Sequence, residues 1–192
     1  MSSIVVIVLL LKSFMLLVLA LLFSGLLVLV ACAVAGFIFF SMIVGQLKGA
    51  PFVPSKPKRI AAMIELADIK KGDRVCDLGS GNGAVLFAAA RRGAVGIGVE
   101  FNPFLVWFSR LRAQWMGLGD KVSFVRQNLH TYPLSDADVV FLYLWPSTIT
   151  ALREKLMREL KPGARVISNA FAIPEWKPTA ERDGVFLYQK SV

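Results

Sequence analysis

The sequence predicts an α/β fold in which a parallel sheet is completed by an antiparallel hairpin and preceded by one long apolar segment. Strand-like apolar runs alternate with amphipathic helix-like runs from residue 58 to residue 170, which is typical of a parallel sheet with helical crossovers. Asp183-Gly184 between two apolar runs indicates a type I′ hairpin. No residue from Ser13 to Leu47 is charged, and that run far exceeds the roughly 20 residues that cross a bilayer.

The long apolar segment explains the unusual composition of the chain. Hydrophobic residues make up 56% of the 192 residues, more than in an ordinary soluble domain. The run is too long for a signal peptide and lacks a small-residue cleavage site. One helix over residues 13–47 would be about 52 Å long, whereas a hairpin turning at Ser24-Gly25 would bury Lys12 in the bilayer. We therefore expect a single-pass transmembrane anchor over residues 1–47, with the hairpin as the alternative.

Basic residues follow the predicted anchor more densely than they precede it. Lys48, Lys56, Lys58 and Arg59 come after the anchor and only Lys12 before it, so the positive-inside rule places the following domain in the cytoplasm. The formal net charge of +9 favours contact with the anionic headgroups of a lipid bilayer. We expect no nucleic-acid partner, because the basic residues are scattered and no nucleic-acid motif occurs. Small residues within the anchor would allow close helix–helix packing, so a homo-oligomer formed through the anchor is an alternative to a monomer.

A proline-rich linker over residues 48–57 joins the anchor to a domain over residues 58–192. Three prolines keep the linker extended and end the preceding helix. An amphipathic helix over 58–69 begins the domain. The remaining predicted elements are strands at 73–78, 95–100, 121–127, 138–144 and 164–170, helices at 83–92, 103–117 and 147–160, and a hairpin of 176–181 with 185–190.

The predicted helix 103–117 is unusually aromatic. Phe104, Phe108, Leu111 and Trp115 recur at helical spacing, and we expect most of this stripe to pack against the sheet. The alternative is that tryptophan residues of this helix contact a membrane surface, since tryptophan favours that interface.

A glycine-rich turn follows the first predicted strand and precedes a helix. Its residues are Asp77, Leu78, Gly79, Ser80, Gly81, Asn82 and Gly83. Glycines let the backbone approach a ligand closely, and the free N–H groups at the helix start can face that ligand. The spacing of the glycines alone also fits a dinucleotide site.

Two acidic residues distinguish between a dinucleotide and S-adenosylmethionine as the ligand of this turn. Asp77 directly before the turn would repel a pyrophosphate but would attract the ammonium and sulfonium of S-adenosylmethionine. Glu100 ends the next strand, where a ribose-binding acid is expected. The pattern therefore favours S-adenosylmethionine as the cofactor, with an Asp77 that only caps the loop as the alternative. We expect no metal site, because His130 is isolated and neither Cys32 nor Cys76 has a ligand partner at metal-binding spacing.

Beyond the turn, the chain resembles the membrane-anchored seven-strand lysine methyltransferases typified by the adenine nucleotide translocase and ATP synthase c-subunit enzymes. The resemblance covers about residues 50–192 and implies a Rossmann-like class I methyltransferase domain. Family members usually carry an aspartate at the place of Asn82, and glycine and arginine where this chain has Gly83-Ala84. The motifs that carry the resemblance are Phe52-Val53-Pro54-Ser55, Gly98-Val99-Glu100, Tyr143-Leu144-Trp145-Pro146 and Leu160-Lys161-Pro162-Gly163.

The resemblance implies roles for further residues. Val53-Pro54-Ser55 would fold over the methyl donor as a lid. Asn102 would assist Glu100 at the ribose. Asn128 and the backbone amide of Leu129 would face the adenine edge.

The resemblance also implies a lysine substrate that enters past an aromatic lip formed by Tyr143 and Trp145. Deprotonating a lysine at pH 7 costs about 4.6 kcal/mol, and an apolar lip lowers that cost by desolvating the ammonium. The alternative is that both aromatic residues only pack at the edge of the core. The expected function is methylation of a protein lysine in or near a membrane. Methylation of a lipid or small amphiphile and a non-catalytic nucleotide-binding module are the alternatives.

Overall fold

The computed structural model describes residues 3–48 and 53–191, and the chain divides into two compact units at residue 41. Residues 49–52, which belong to the predicted linker and include Phe52 of the resemblance, lie outside the described residues. Helix α1 (Ser3–Lys48), which forms the first unit and continues past residue 41, is unbroken. At the proposed hairpin turn, Ser24 Oγ donates to the carbonyl of Leu21 at 2.9 Å within an unbroken helix. The structure therefore has one long helix and not a hairpin.

The side chains of residues 10–37 in α1 are exposed and, apart from Lys12, uncharged. Residues 10–37 meet the length and composition of a membrane-crossing helix, with a mean hydropathy of 2.9 and no burial against the rest of the chain. A helix with no polar face cannot pack one side on a soluble core and leave the other in water. Its composition therefore matches that of a lipid-exposed span.

The second unit alternates strands and helices in the predicted order, and every predicted element is present. Its elements are α2 (Pro57–Ala67), β1 (Arg74–Leu78), α3 (Ala84–Arg91), β2 (Val95–Glu100), α4 (Pro103–Trp115), β3 (Val122–Arg126), β4 (Val139–Leu142), α5 (Pro146–Glu159), β5 (Arg165–Asn169), β6 (Ala180–Arg182) and β7 (Val185–Gln189). The first strand of the hairpin is shorter than predicted and begins at Ala180.

The seven strands form one mixed sheet in the order β3-β2-β1-β4-β5-β7-β6. Strands β1 to β5 are parallel, and β7 pairs antiparallel with both β5 and β6. Asp183 (φ 51°) and Gly184 (φ 71°) join β6 to β7 with two positive φ angles, as the predicted type I′ turn requires. The carboxyl ends of β1, β2, β3 and β4 therefore meet at one edge of the sheet, which is the binding edge of such folds.

Two apolar cores cover the two faces of the sheet. Helices α2, α3 and α4 contribute to one core, around Met63, Leu86 and Phe141. Helix α5 and the loop between β3 and β4 cover the other face, around Leu134 and Leu152. Within the described residues 53–191, a loop connects β3 to β4 and another connects β5 to β6. Because these loops replace the helices that often occupy such crossovers, the domain is small.

Helix α4 buries small side chains against the sheet, whereas Phe104, Phe108 and Leu111 of the predicted stripe are half-buried and Trp115 is exposed. Its buried residues are Val106, Ser109 and Ala113. Trp107 and Trp115 are 57% and 74% exposed. The expectation that the aromatic stripe forms most of the contact with the sheet is therefore wrong. Small side chains let the helix backbone approach the sheet, and the bulky ones remain on the opposite side.

Candidate active site

The glycine-rich turn crosses from the end of β1 to the top of β2. The N–H groups of Gly79 and Ser80 both donate to the carbonyl of Val99, at 2.8 and 3.1 Å. The N–H of Gly83 closes the turn on the carbonyl of Ser80 at 2.8 Å. Gly79, Gly81 and Gly83 all have positive φ, at 81°, 52° and 76°. This succession of left-handed residues is the reason that glycine is needed at these positions.

Close packing adds a second requirement for glycine in the turn. A Cβ atom on Gly79 would lie 2.8 Å from Cδ2 of Leu144, and one on Gly83 would lie 2.6 Å from Cζ of Phe124. Gly98 in β2 is equally enclosed, since a Cβ atom there would lie 2.5 Å from Phe124. The turn therefore lies directly on the aromatic core and can expose its backbone only on the outer side.

Glu100 holds the turn and helix α4 in one arrangement. Its Oε2 accepts from the N–H of Gly81 at 3.0 Å, and its Oε1 accepts from the N–H of Asn102 at 2.8 Å. Asn102 in turn caps α4, accepting from the N–H of Phe104 at 2.9 Å. Each carboxylate oxygen has a second lone pair. The Glu100 carboxylate can therefore accept a pair of vicinal hydroxyls, such as those of a ribose, without losing these contacts.

Asp77 lies beside Glu100 in a buried position and has no cationic partner among the described residues. The residue is only 5% exposed, and burial together with the charge of Glu100 raises the pKa of the Asp77 carboxyl to about 7. Within residues 53–191, no lysine, arginine or histidine forms an ion pair with Asp77 or Glu100. A cationic ligand would relieve this repulsion, whereas a pyrophosphate would increase it. The residues present therefore fit a ligand with an ammonium and a ribose.

Two residues of the turn have structural roles of their own. Asn82 Oδ1 accepts from the N–H of Ala84 at 3.3 Å at the start of α3, and its carbonyl accepts from Nη1 of Arg112 at 2.6 Å. This contact spans two residues, as in an Asx turn, and the carboxylate of an aspartate could accept the same hydrogen bond. The Oγ of Ser80 is buried, has no partner among the described residues, and lies beside Gly98. Ser80 therefore shapes the turn, since its N–H is also taken by Val99.

The predicted lid is held at the carboxyl end of β5. Val53 and Pro54 are exposed, and Ser55 is half-buried. The buried side chain of Asn169 donates from Nδ2 to Ser55 Oγ at 3.4 Å and accepts at Oδ1 from Nη1 of Arg59 at 2.9 Å. These three polar side chains fix the start of the domain to the sheet edge. The role of Asn169 was not predicted, although a polar residue ending an apolar strand at the binding edge is a signal for it.

The loop after β3 lies at the same edge as Asp77 and Glu100. Asn128 is exposed, and its Oδ1 accepts from the N–H of His130 at 2.9 Å, forming an Asx turn. Leu129 is half-buried and packs against the core on that side of the sheet. The topology therefore brings Asn128 and Leu129 to the same end of the sheet as Asp77 and Glu100.

The predicted aromatic lip follows β4. Tyr143 is half-buried, and Trp145 is 49% exposed immediately before α5. The ring of Trp145 stacks on that of Phe171, with centroids 6.5 Å apart and planes at 25°. Phe171 comes from the loop after β5, and no local sequence pattern indicates this contact. The lip thus has aromatic surface from two neighbouring strand ends.

Comparison with known proteins agrees with this arrangement. The ANTKMT methyltransferase domain matches residues 77–180. A protein-lysine N-methyltransferase of Saccharolobus islandicus is 35% identical over 130 residues, which cover 67% of this chain and 81% of that protein. This chain belongs to the ANTKMT methyltransferase-domain family. The resemblance inferred from the sequence motifs is therefore confirmed.

Two further similarities bear on the fold. The human lysine N-methyltransferase of the ATP synthase c-subunit is 38% identical over 128 residues, covering 67% of this chain and 54% of the human protein, so the chain spans about half the length of that relative. The crystal structure of an RNA methyltransferase from Salinibacter ruber, in complex with S-adenosyl-L-homocysteine, has a TM-score of 0.68 and 38% identity. The similarity covers 72% of this chain and 92% of the Salinibacter ruber chain. The class I methyltransferase fold with antiparallel C-terminal strands is confirmed.

Proposed function

We propose that this protein is an S-adenosylmethionine-dependent protein lysine N-methyltransferase, anchored in a membrane by its N-terminal helix. The observation that carries the cofactor is the pair of acids around the glycine turn. Asp77 is buried without a cation among the described residues, and Glu100 retains lone pairs for two hydroxyls. The solved Salinibacter ruber relative was crystallised with S-adenosyl-L-homocysteine, which supports the same ligand class here.

In this proposal the protein binds and orients the reactants and does not form a covalent intermediate. S-adenosylmethionine supplies a methyl group on a cationic sulfur, which a neutral amine can attack. Asp77 binds the ammonium of the donor, and Glu100 binds the ribose. The turn from Gly79 to Gly83 presents its backbone, and Asn128 with Leu129 faces the adenine. Most of the rate enhancement then comes from alignment of the two reacting atoms.

The lysine specificity is supported by the aromatic lip and by the relatives. The human and Saccharolobus islandicus relatives are both named as lysine N-methyltransferases. Trp145 with its stacked neighbour Phe171 offers a half-exposed aromatic face, which attracts an ammonium and also desolvates it. Tyr143 lies two residues before Trp145 at the same strand end. We assign these two residues to substrate entry and assign proton loss to water.

The membrane location is supported by α1 and the charges that follow it. Residues 10–37 satisfy the length and hydropathy of a span. Lys48, Lys56, Lys58 and Arg59 follow it, which favours a single-pass protein with the catalytic domain in the cytoplasm. A methyltransferase fixed in this way would act on a lysine of a membrane or membrane-proximal protein.

The proposal is tested with purified full-length protein, tritiated S-adenosylmethionine and total membranes. We expect label in the protein fraction, and methyllysine after acid hydrolysis. Glu100→Ala should abolish the label by weakening donor binding. Label that extracts entirely into organic solvent would instead identify a lipid or small amphiphile as the substrate. Calorimetry that shows tight NAD binding and no S-adenosylhomocysteine binding would identify a nucleotide-binding module and contradict the assignment of Asp77.

One observation favours a second candidate, an RNA substrate. The Salinibacter ruber structure, 92% of which is covered by the similarity to this chain, is named an RNA methyltransferase. The same assay separates the two, because methylated RNA loses its label on ribonuclease treatment and methyllysine does not. Total RNA added in place of membranes gives the direct comparison.

A further inference from the structure

We propose that helix α4 docks the catalytic domain onto an anionic lipid bilayer through an outward aromatic face. This α4 aromatic face consists of the exposed Trp107 and Trp115 together with the half-buried Phe108 and Leu111. The inference uses the proposed function only for the presence of a bilayer near the domain. Its test therefore gives a result for the lipid contact that is separate from the result for methyl transfer.

The first argument is the inverted packing of the helix. A surface helix of a globular protein normally directs large apolar residues to the core, but α4 directs Val106, Ser109 and Ala113 inward. Trp115 is 74% exposed and Trp107 is 57% exposed, and these are the two most exposed tryptophans of the four in the chain. A large apolar surface left outside a well-packed domain indicates a contact that the domain does not make by itself.

The second argument is the arrangement of charge around the face. At about 100° per residue, the members of the face occupy an arc of about 100°, and Arg110 and Arg112 lie on its two sides. From Phe101 to Gly119 the chain contains no acidic residue. An apolar tryptophan-containing arc bordered by arginine is the pattern of a helix that lies in the headgroup region of a membrane. In this arrangement the aromatic part enters the acyl boundary and the exposed Arg110 meets lipid phosphates. The guanidinium of Arg112 lies over the rings of Phe87 and Phe108, at 5.0 and 5.7 Å from their centroids, and contributes its positive charge beside the face.

The third argument is the rigidity of the helix. Arg110 donates from Nε and Nη2 to the carbonyl of Phe124 at 2.9 and 2.6 Å, and Ser109 Oγ donates to the carbonyl of Gly81 at 3.0 Å. Arg112 donates to the carbonyl of Asn82. Hydrogen bonds to neutral carbonyls leave the positive charges intact. The face is therefore presented by an element that is fixed to the cofactor turn, so docking would orient the whole site.

The same charges disfavour a second copy of the chain as the occupant. A two-fold contact between identical faces would bring Arg110 and Arg112 of both copies together, because such an interface pairs each surface with itself. A bilayer containing anionic lipid has the opposite charge. The chain also carries its own candidate span, and only residues 38–56 separate that span from α2. A lipid surface is therefore the occupant that charge and chain connectivity both favour.

The test uses the full chain in nanodiscs and the depth-dependent quenching of tryptophan by nitroxide lipids. Single-tryptophan variants keep only Trp107, only Trp115 or only Trp176, with phenylalanine at the other tryptophan positions. Trp176 is the matched control, because it packs on Tyr188 beside the antiparallel strands with ring centroids 5.3 Å apart. The nanodiscs contain either phosphatidylcholine alone or a mixture of phosphatidylglycerol and phosphatidylcholine.

We expect nitroxides near the headgroups to quench Trp107 and Trp115 at least about twofold more than Trp176, and more strongly with phosphatidylglycerol present. Equal quenching of all three in a chain that co-elutes with nanodiscs would overturn the lipid contact and leave the anchor intact. Failure to co-elute would overturn the lipid contact and the anchor together. If, in detergent, protection of Trp115 from a soluble quencher increases with protein concentration, the face contacts a second copy of the chain. If protection arises only when a protein substrate is added, the face contacts that protein. Either result would overturn the proposal.

A paired substitution checks the same surface without tryptophan fluorescence. Trp107→Ser combined with Trp115→Ser should reduce the quenching, by nitroxide lipids in the anionic bilayer, of a fluorophore attached to the domain. The Kd for S-adenosylhomocysteine should stay within about twofold of that of the unmodified chain, because neither side chain contributes to the core. Unchanged quenching in this variant would contradict the role of the face. Loss of S-adenosylhomocysteine binding would show that the two tryptophans belong to the catalytic fold, which would also contradict it.

Discussion

Donor binding should depend on pH through the buried carboxyl of Asp77. Its pKa is raised to about 7 by burial and by Glu100, and only the ionised form attracts the ammonium of the ligand. At pH 6 about one tenth of the free protein has an ionised Asp77, against about nine tenths at pH 8. Because the apparent Kd is the intrinsic Kd divided by the competent fraction, the Kd for S-adenosylhomocysteine should fall about tenfold between pH 6 and pH 8.

Isothermal titration calorimetry measures both the affinity and the proton that leaves. At pH 7, repeating the titration in two buffers of different ionisation enthalpy should reveal release of about half a proton per ligand bound. Asp77→Asn is the matched variant, and its affinity should be weak and independent of pH. His130→Gln is the second control, and its Kd should keep the same dependence on pH as that of the unmodified protein. A Kd of the unmodified protein that stays constant from pH 6 to pH 8 would refute the assignment of Asp77 to a cationic ligand.

The same shift in pKa has the opposite consequence for stability. The folded-state pKa of Asp77 lies above the ordinary value of 3.8. The contribution of its protonated carboxyl to the free energy of unfolding is therefore complete below pH 4 and is lost as the pH rises through 7. The loss is on the order of 4 kcal/mol above pH 7. Asp77→Asn should therefore raise the melting temperature of the ligand-free domain at pH 8 and have little effect at pH 4. A lower melting temperature at pH 8 would contradict the buried, unpaired state of this carboxylate.

Three further substitutions test separate parts of the site. Trp145→Ala should lower kcat/KM for a lysine substrate by about 3- to 30-fold, because a cation–π contact is lost. The Kd for S-adenosylhomocysteine should stay unchanged, and an equal loss of donor binding would show that Trp145 belongs to the donor site and not to the lysine entry. Gly83→Ala should destabilise the domain by about 2–4 kcal/mol in urea unfolding, because its φ is 76° and the new Cβ would meet Phe124 at 2.6 Å. The control Gly117→Ala has a φ of 63° and open space, so it should cost only about 1–2 kcal/mol, and equal costs would contradict the packing argument. Asn169→Ala should speed hydrogen exchange of the Arg59 and Ile60 amides, which donate to the carbonyl of Lys56, by about 5- to 10-fold through loss of the Asn169 side-chain hydrogen bonds to Arg59 and Ser55. Unchanged exchange would show that these bonds do not hold the start of the domain.

The order of the elements could be predicted from the sequence because each depends on local chemistry. Strand β2 begins at Val95 and ends at Glu100, the acid that terminates the apolar run from which the strand was predicted. The type I′ turn at Asp183-Gly184 and the left-handed turn residues from Gly79 to Gly83 have the positive φ angles that these residue types allow. The positions of the two acids assigned to the ligand could be predicted for the same reason, since each lies at the end of a strand of a parallel sheet.

The side of α4 that meets the sheet could not be predicted, because both sides of this helix contain apolar residues. Hydrophobic periodicity gives the direction of a helix only when its other side is polar. The contact of Ser109 with the carbonyl of Gly81 decides the orientation, and those residues are 28 positions apart. The prediction from spacing therefore favoured the larger residues, and the structure favours the smaller ones.

The sequence by itself determined the alternation of strands and helices, the positions of Asp77 and Glu100 at the ends of parallel strands, the kind of ligand that two such acids accept, and the presence of a long apolar helix. Only the tertiary structure decided how the lid is held and what faces outward. Asn169 reaches Arg59 across 110 positions and Ser55 across 114, and Phe171 supports Trp145 from a different loop. Local rules of backbone and periodicity operate within a few residues, whereas burial, side-chain contact and the raised pKa of Asp77 arise only when distant segments pack together.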